Sequence, residues 1–278
     1  MKTFIKWHGN KSKHINKFIQ YIPKFKGTYI EPFVGSGALF LRLEPEKWII
    51  NDLNKDLINI WNHVKDNPEE IIKEFKKFGE KFKPLSKEDK VLYCQEITKT
   101  LEEIPYDLKR ASTYLLMKFC SYMGYIMIKN KFCFRGLDLH IFLNDEYFFL
   151  REKNYINLKK VNEFLNKTNG KITNKSYEKI LSKAKEGDFV FLDPPYVEDL
   201  EYSFNYNKDE VIDKTFIKEL YKQVKDLDKR KVKWLMTQAD TKQVRTIFKE
   251  YIIKTFSVYR ISSKSYKTEL LIMNYTLQ

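Results

Sequence analysis

An open α/β sheet interrupted by a long, mostly helical insertion is the fold class that this 278-residue sequence predicts, and three observations predict it. Residues Tyr29 to Leu41 read as a strand, a glycine turn and the start of a helix, the opening unit of such a sheet. Phe189-Val190-Phe191-Leu192 is a continuous apolar run between Gly187-Asp188 and Asp193-Pro194-Pro195-Tyr196, as expected of a central strand buried on both faces. Between these two units, from about Asn67 to Arg151, strand signals give way to Lys/Glu-rich helical segments.

The remaining elements follow in order. Trp48-Ile49-Ile50 predicts a second strand that ends in Asn51-Asp52-Leu53-Asn54 and leads into a helix over Asp56 to Lys65. An acidic residue is thereby placed at a strand's carboxyl end, beside the glycine turn. Tyr114, Met117, Phe119, Tyr122 and Met123 are spaced as a packed helix stripe, and Lys73 to Lys90 as a solvated helix face. The stretch from Lys129 to Arg135 is basic and poorly patterned. Strand and helix alternation resumes near Gly170. Beyond the central strand come a polar, aromatic loop (Glu198 to Lys208), a helix (Asp213 to Asp226), a strand (Val232 to Thr237) and a helix (Thr241 to Tyr251). Two β-like runs, Ser257 to Ile261 and Glu269 to Tyr275, predict a closing hairpin.

Composition narrows the functional classes. The formal charge of +14 favours a polyanionic partner, although a general bias toward Lys contributes to it. Arginine is scarce, so Arg110, Arg135 and Arg151 stand out as candidates for bidentate recognition. Cys94, Cys120 and Cys133 lack the paired spacing of a zinc or redox site and predict reduced thiols in a cytoplasmic setting. The four histidines form no metal-binding pair, so no metal site is expected. No apolar run reaches membrane-spanning length, and no signal peptide is visible.

Two motifs carry chemistry. In Gly35-Ser36-Gly37 the third small residue that a pyrophosphate-binding turn needs is replaced by Phe40, which disfavours a dinucleotide. A ligand with a ribose and no phosphate still fits, because Asp52 can accept from both ribose hydroxyls; S-adenosylmethionine is such a ligand. Asp193-Pro194-Pro195-Tyr196 is the stronger signal, a tetrapeptide expected by chance in only about one chain in a thousand of this length. An aromatic amine is a weak nucleophile because its lone pair is delocalised, so a catalyst should hold its hydrogens with acceptors. The Asp193 carboxylate and the Pro194 carbonyl are two such acceptors, and Tyr196 offers a ring for an extruded base. Attack at a cytosine ring carbon normally uses a cysteine after proline, and none of the 8 prolines precedes Cys.

With these residues in place the chain resembles the Dam-like, alpha-group DNA adenine methyltransferases over nearly its whole length. Lys6-Trp7-His8-Gly9-Asn10-Lys11 resembles their N-terminal cofactor motif, with His8 and Asn10 replacing small residues. Glu31-Pro32-Phe33-Val34-Gly35-Ser36-Gly37 resembles the glycine motif, Asn51 to Asn54 the ribose-binding tip, and Asp193 to Tyr196 the catalytic motif. Phe204, Asn205 and Tyr206 resemble the family's aromatic loop, and Ser262-Ser263 with Glu269-Leu270-Leu271 its closing hairpin.

The resemblance implies a Rossmann-like domain over 1–56 and 151–278 and a target-recognition insertion over 57–150. It further implies S-adenosylmethionine held by Trp7, Lys11, Glu31, Phe33, Gly35, Gly37, Asp52 and Asp193, with Asp193, Pro194 and Tyr196 acting on adenine. The expected partner is double-stranded DNA, contacted by Arg110, Lys131 and Arg135, for a monomer that pairs functionally with a restriction endonuclease. Asn130 to Gly136 keeps only the outline of the stretch found in members that read GATC, which leaves the target sequence open. RNA or cytosine-amine methylation and a non-catalytic DNA-binding role remain the alternatives.

Overall fold

The computed structural model describes residues 1–124, 126–128, 131–196, 215–260 and 265–276. In chain order the elements begin with α1 (Ile15–Phe18), β1 (Tyr29–Glu31), α2 (Ala38–Leu43), β2 (Lys47–Asn51) and α3 (Lys55–Asp66). They continue with α4 (Pro68–Phe82), α5 (Lys87–Thr100), α6 (Leu108–Cys120), β3 (Met127–Ile128), β4 (Lys131–Phe132), α7 (Leu139–Asn144) and α8 (Glu152–Lys167). The last group is β5 (Asn169–Thr173), α9 (Tyr177–Leu181), β6 (Phe189–Leu192), α10 (Phe216–Lys229), β7 (Lys233–Ala239), α11 (Lys242–Ile247), β8 (Ile252–Arg260) and β9 (Ser265–Met273).

Seven strands form one sheet in the order β5-β2-β1-β6-β7-β9-β8. Strands β2, β1, β6 and β7 run parallel, whereas β9 is antiparallel to both β7 and β8. This is the Rossmann-like, mostly parallel architecture that the alternation of strands and helices predicts. All four residues of β6 are buried, as its unbroken apolar sequence requires. At the carboxyl end of β6 the chain enters the double proline, which cannot continue the ladder. Asp193 therefore emerges at the ligand-binding edge of an open sheet.

The chain divides into two compact units. One comprises residues 1–10, 35–44 and 54–172; the other comprises 11–34, 45–53 and 173–278. In the first, α3 packs on α6 and α8, and α4 packs on α6 and α8, around the fully buried Trp61, Tyr114, Phe75 and Phe149. In the second, one sheet face is covered by α9, α10 and α11 over Val190, Leu192, Trp234, Met236, Leu270 and Ile272. These compact units are a different partition from the expected catalytic part and 57–150 insertion, since α8 and the first ten residues belong with the helical segments.

Local chemistry explains the helix ends. Asn54, Ser86, Asp107 and Thr241 each accept a backbone N–H from the first turn of the helix that follows, as N-caps do. The helix expected over Thr241 to Tyr251 stops at Ile247. Phe248 and Tyr251 turn into the core around Trp234, and the β-branched Ile252 and Ile253 begin the edge strand paired to β9. At the Lys129 to Arg135 stretch, Lys131 and Phe132 pair antiparallel with Ile128 and Met127, while Lys129 and Asn130 lie outside the described residues. Tyr114, Met117 and Phe119 are buried as the stripe predicts, whereas Tyr122 lies past the helix end and is exposed. Lys90 breaks the solvated-face expectation: it is 4% exposed and paired with Asp145 at 2.9 Å. Phe204, Asn205, Tyr206, Ser262 and Ser263 lie outside the described residues.

Candidate active site

The sheet edge beyond β6 gathers a polar cluster around Asp193 and Tyr196. Lys11 Nζ lies 2.8 Å from Asp193 Oδ1 and 4.8 Å from the centroid of the Tyr196 ring. Thr237 Oγ1, from the end of β7, donates to the same Asp193 oxygen at 2.5 Å. Tyr196 is 7% exposed and its hydroxyl donates to Glu269 on β9 at 2.8 Å. Burial foremost, and then the carboxylates of Asp193 and Glu269, push the Tyr196 hydroxyl well above the ordinary range, so it remains a protonated donor. Gln238 Nε2 reaches the carbonyl of Pro195 at 3.4 Å. An acidic group, an ammonium and a phenol are thus held together, with hydrogen bonds to residues of two strands, β7 and β9.

On the neighbouring strands Glu31 is buried and accepts from the Tyr29 hydroxyl at 2.7 Å. Phe33 packs at 5.3 Å from the Tyr177 ring, among the aromatic side chains that cover the sheet. Asn51 is a buried bracket: its amide nitrogen donates to the carbonyls of Pro32 and Lys175, and its oxygen accepts from Thr173 and Lys175. The next residue, Asp52, is half-buried and its backbone is pinned by Thr173 and Asn174. Its place at the strand tip follows from this bracket.

Within the helical unit, Gly35 and Gly37 adopt φ of +46° and +63°, a region that side chains with a Cβ enter at a cost. A Cβ on Gly35 would also stand 2.9 Å from Trp7 Cδ1, so the glycine lets the turn approach the indole. The carbonyl of Gly35 accepts from the Trp61 indole at 3.2 Å. Lys131 and Arg135 are exposed on and beyond β4.

Arg110 corrects the sequence reading. It is 6% exposed, with Nε and Nη2 on the two oxygens of Asp56 at 2.5 and 3.2 Å, and Nη1 on the carbonyls of Leu101 and Ile104. Burial opposes its charge, but the hydrogen bonds and charge of Asp56 outweigh that and raise its pKa. Buried and bonded to Asp56 and two carbonyls, Arg110 serves as a structural ion pair, which argues against the expected DNA contact. In the sequence its position looked like that of any scarce arginine. Only the fold brings Asp56 to it.

The model of the D12 class N6 adenine-specific DNA methyltransferases matches residues 7–266. The chain belongs to that family. This D12 methyltransferase is 27% identical to the type II methyltransferase M1.LlaDCHI of Lactococcus lactis subsp. cremoris, across 99% of its own length and 96% of the relative's. It is 28% identical to the type II methyltransferase M.MjaIII of Methanocaldococcus jannaschii, across 99% of each chain. A DNA adenine methylase of Serratia marcescens is 28% identical over 70% of this chain and 67% of its own. The D12 enzyme therefore methylates adenine in DNA, and its family implies S-adenosylmethionine as the methyl donor and duplex DNA as the substrate.

Thr237, Gln238 and Glu269 join the candidate site although the sequence reading gave none of them a role in it. The first two had a readable signal: Thr237-Gln238 are polar residues ending an apolar strand, as Asp193 ends β6. Glu269 was visible only as part of the family's closing hairpin, because its contact with Tyr196 depends on β9 pairing with β7 at Ala239. Among the described residues no helix is long and apolar enough to cross a membrane, and no cluster of metal-binding side chains occurs.

Proposed function

We propose that the chain methylates an adenine taken out of the stack at one short duplex sequence. In this reading Asp193, Pro194 and Tyr196 hold the target amine, and residues 57–150 read the site. The observation that carries it is the environment of Asp193. Among the described residues both of its donors, Lys11 and Thr237, converge on Oδ1, which leaves Oδ2 to accept from an amine. With the Pro194 carbonyl as second acceptor, the amine's hydrogens are held and its lone pair is turned out of conjugation. Tyr196 is nearly closed to solvent, so a base lying on its ring requires the Lys11 ammonium to move aside.

The residues present suit S-adenosylmethionine. Gly35 and Gly37 keep the turn clear of side chains, Asp52 suits a ribose, Trp7 and Phe33 offer apolar rings, and Lys11 and Glu31 carry the opposite charges that an amino-acid end needs. When bound, that molecule supplies a methyl group activated on a sulfonium. In this reading Asp193 serves both the cofactor and the amine.

Recognition falls to the insertion, whose Lys131 and Arg135 are exposed; a bidentate pair from Arg135 to guanine discriminates by about 1–3 kcal/mol. The type II names of two full-length relatives support a restriction-modification role beside a cognate endonuclease. In this reading the methyltransferase acts as a monomer. Labelled S-adenosylmethionine, unmethylated DNA and mapping of modified bases test the reading. Asp193→Ala should abolish incorporation and keep DNA binding, and near-normal turnover in that variant would refute the assigned role.

A further inference from the structure

Lys118 is the buried charge that the reading above leaves without a task. It sits on α6 at 8% exposure and forms no ion pair among the described residues. Its ammonium donates to the carbonyl of Gly124 at 2.9 Å and stands 4.6 Å from the centroid of the Trp7 ring and 5.6 Å from that of Tyr114. Keeping an ammonium in such a place costs several kcal/mol, and a methionine would fill the same volume without that cost. Packing alone does not explain the residue.

Its neighbours lead in two directions. Trp7 lies with its Cδ1 edge against the Gly35 turn, where a Cβ would come within 2.9 Å. Tyr114 packs edge-on against Phe132 of β4 at 6.1 Å, and Gly124 precedes β3 by three residues. One ammonium therefore touches the tryptophan of the N-terminal motif, the ring that packs on β4 and the glycine before β3. We propose that Lys118 is a positioning residue that couples cofactor binding at Trp7 to the seating of the recognition hairpin, so that cofactor and DNA bind with positive coupling. The proposal rests on the reading that Trp7 contacts the cofactor and the insertion contacts DNA.

Among the described residues, the charges around Lys118 are already engaged. Asp56 on α3 attracts it but is committed to Arg110, and Lys6 near Gly124 is paired with Asp138 at 2.9 Å. Burial, only partly offset by Asp56, pulls the Lys118 ammonium down to about 7. The cation–π contact to Trp7 is therefore present below neutrality and lost above it, whereas the amine keeps a hydrogen to donate to Gly124.

The test measures the affinity of the full chain for a duplex carrying the mapped target, with and without saturating S-adenosylhomocysteine, from pH 6 to 9. In the unmodified protein the product analogue is expected to tighten DNA binding roughly 5-fold or more, with the factor shrinking as pH rises through about 7. Lys118→Met, and Lys118→Gln should the first not fold, should give a factor near one at every pH. Lys118→Arg, charged throughout, should keep the factor at high pH. A purely structural lysine would shift thermal stability and leave this factor and its pH dependence as they were. A wild-type factor in a folded Lys118→Met overturns the proposal, as does its absence from the unmodified protein when both ligands bind. If Trp7→Ala leaves S-adenosylhomocysteine affinity unchanged, the underlying cofactor reading fails and the proposal with it.

Discussion

Replacing Arg110 with alanine is expected to unfold the protein at a markedly lower temperature without changing which DNA sequence it methylates. The substitution strands the Asp56 carboxylate, 8% exposed, and removes the donor to the carbonyls of Leu101 and Ile104. Breaking a buried ion pair from one side costs about 3–5 kcal/mol, and each orphaned carbonyl adds about 1 kcal/mol, less where water reaches it. Stacking of the guanidinium on Tyr106 at 4.3 Å and Phe132 at 5.5 Å is lost as well. A total of about 4–6 kcal/mol lowers the unfolding midpoint by roughly 10 °C in a chain of this length. Circular dichroism on heating measures it. The Arg110→Met, Asp56→Leu double variant should recover most of the loss, because two apolar side chains leave no buried charge behind. A midpoint within about 2 °C of the parent, together with a salt dependence of DNA binding weakened by about one phosphate contact, would refute the argument and restore Arg110 as a DNA ligand.

Three further outcomes follow. Gly35→Ala, strained at φ +46° and pressed onto Trp7, should weaken cofactor affinity by about 1–2 kcal/mol, read by isothermal titration; unchanged affinity would remove the turn from the cofactor site. Arg135→Ala should relax the preference at one base pair of the mapped site, and an unaltered methylation motif would count against a base contact. Lys118→Met should stabilise the protein most at low pH. The folded-state pKa of about 7 lies below that of the unfolded chain, so the native penalty is complete below 7, where both states are protonated, and fades as pH rises from 7 to about 10.5, where the unfolded chain alone holds the proton. The gain has a ceiling of about 5 kcal/mol, and chemical denaturation at pH 6 and pH 9 should show it shrinking.

Much of the site was legible because its residues lie on short, contiguous motifs whose types follow from their chemistry. Asp193-Pro194-Pro195-Tyr196 advertises itself, since a carboxylate and two prolines after four apolar residues have few structural reasons to be together. Gly35 and Gly37 are legible for a similar reason, because only a turn needing positive φ favours them. Arg110 misled because a guanidinium reads the same in a sequence whether it faces phosphate or a buried carboxylate. The helix expected over Thr241 to Tyr251 was too long because period alone does not register the pull of an adjacent unpaired edge on Ile252 and Ile253.

What the sequence determined by itself was therefore local: strands from apolar runs, turns from glycine and proline, caps from Asn54, Ser86, Asp107 and Thr241, and a candidate catalytic tetrapeptide just past a strand end. Tertiary structure decided which distant groups meet. Thr237, from a strand 44 residues away, takes one oxygen of Asp193, and Glu269 takes the Tyr196 hydroxyl through the register of β9 on β7. Asp56 captures Arg110, and Lys118 is enclosed by Trp7 and Tyr114. The physical reason is common to all four: hydrogen bonds, ion pairs and desolvation act over a few ångströms of space, and chain order does not record which residues the fold brings within that reach.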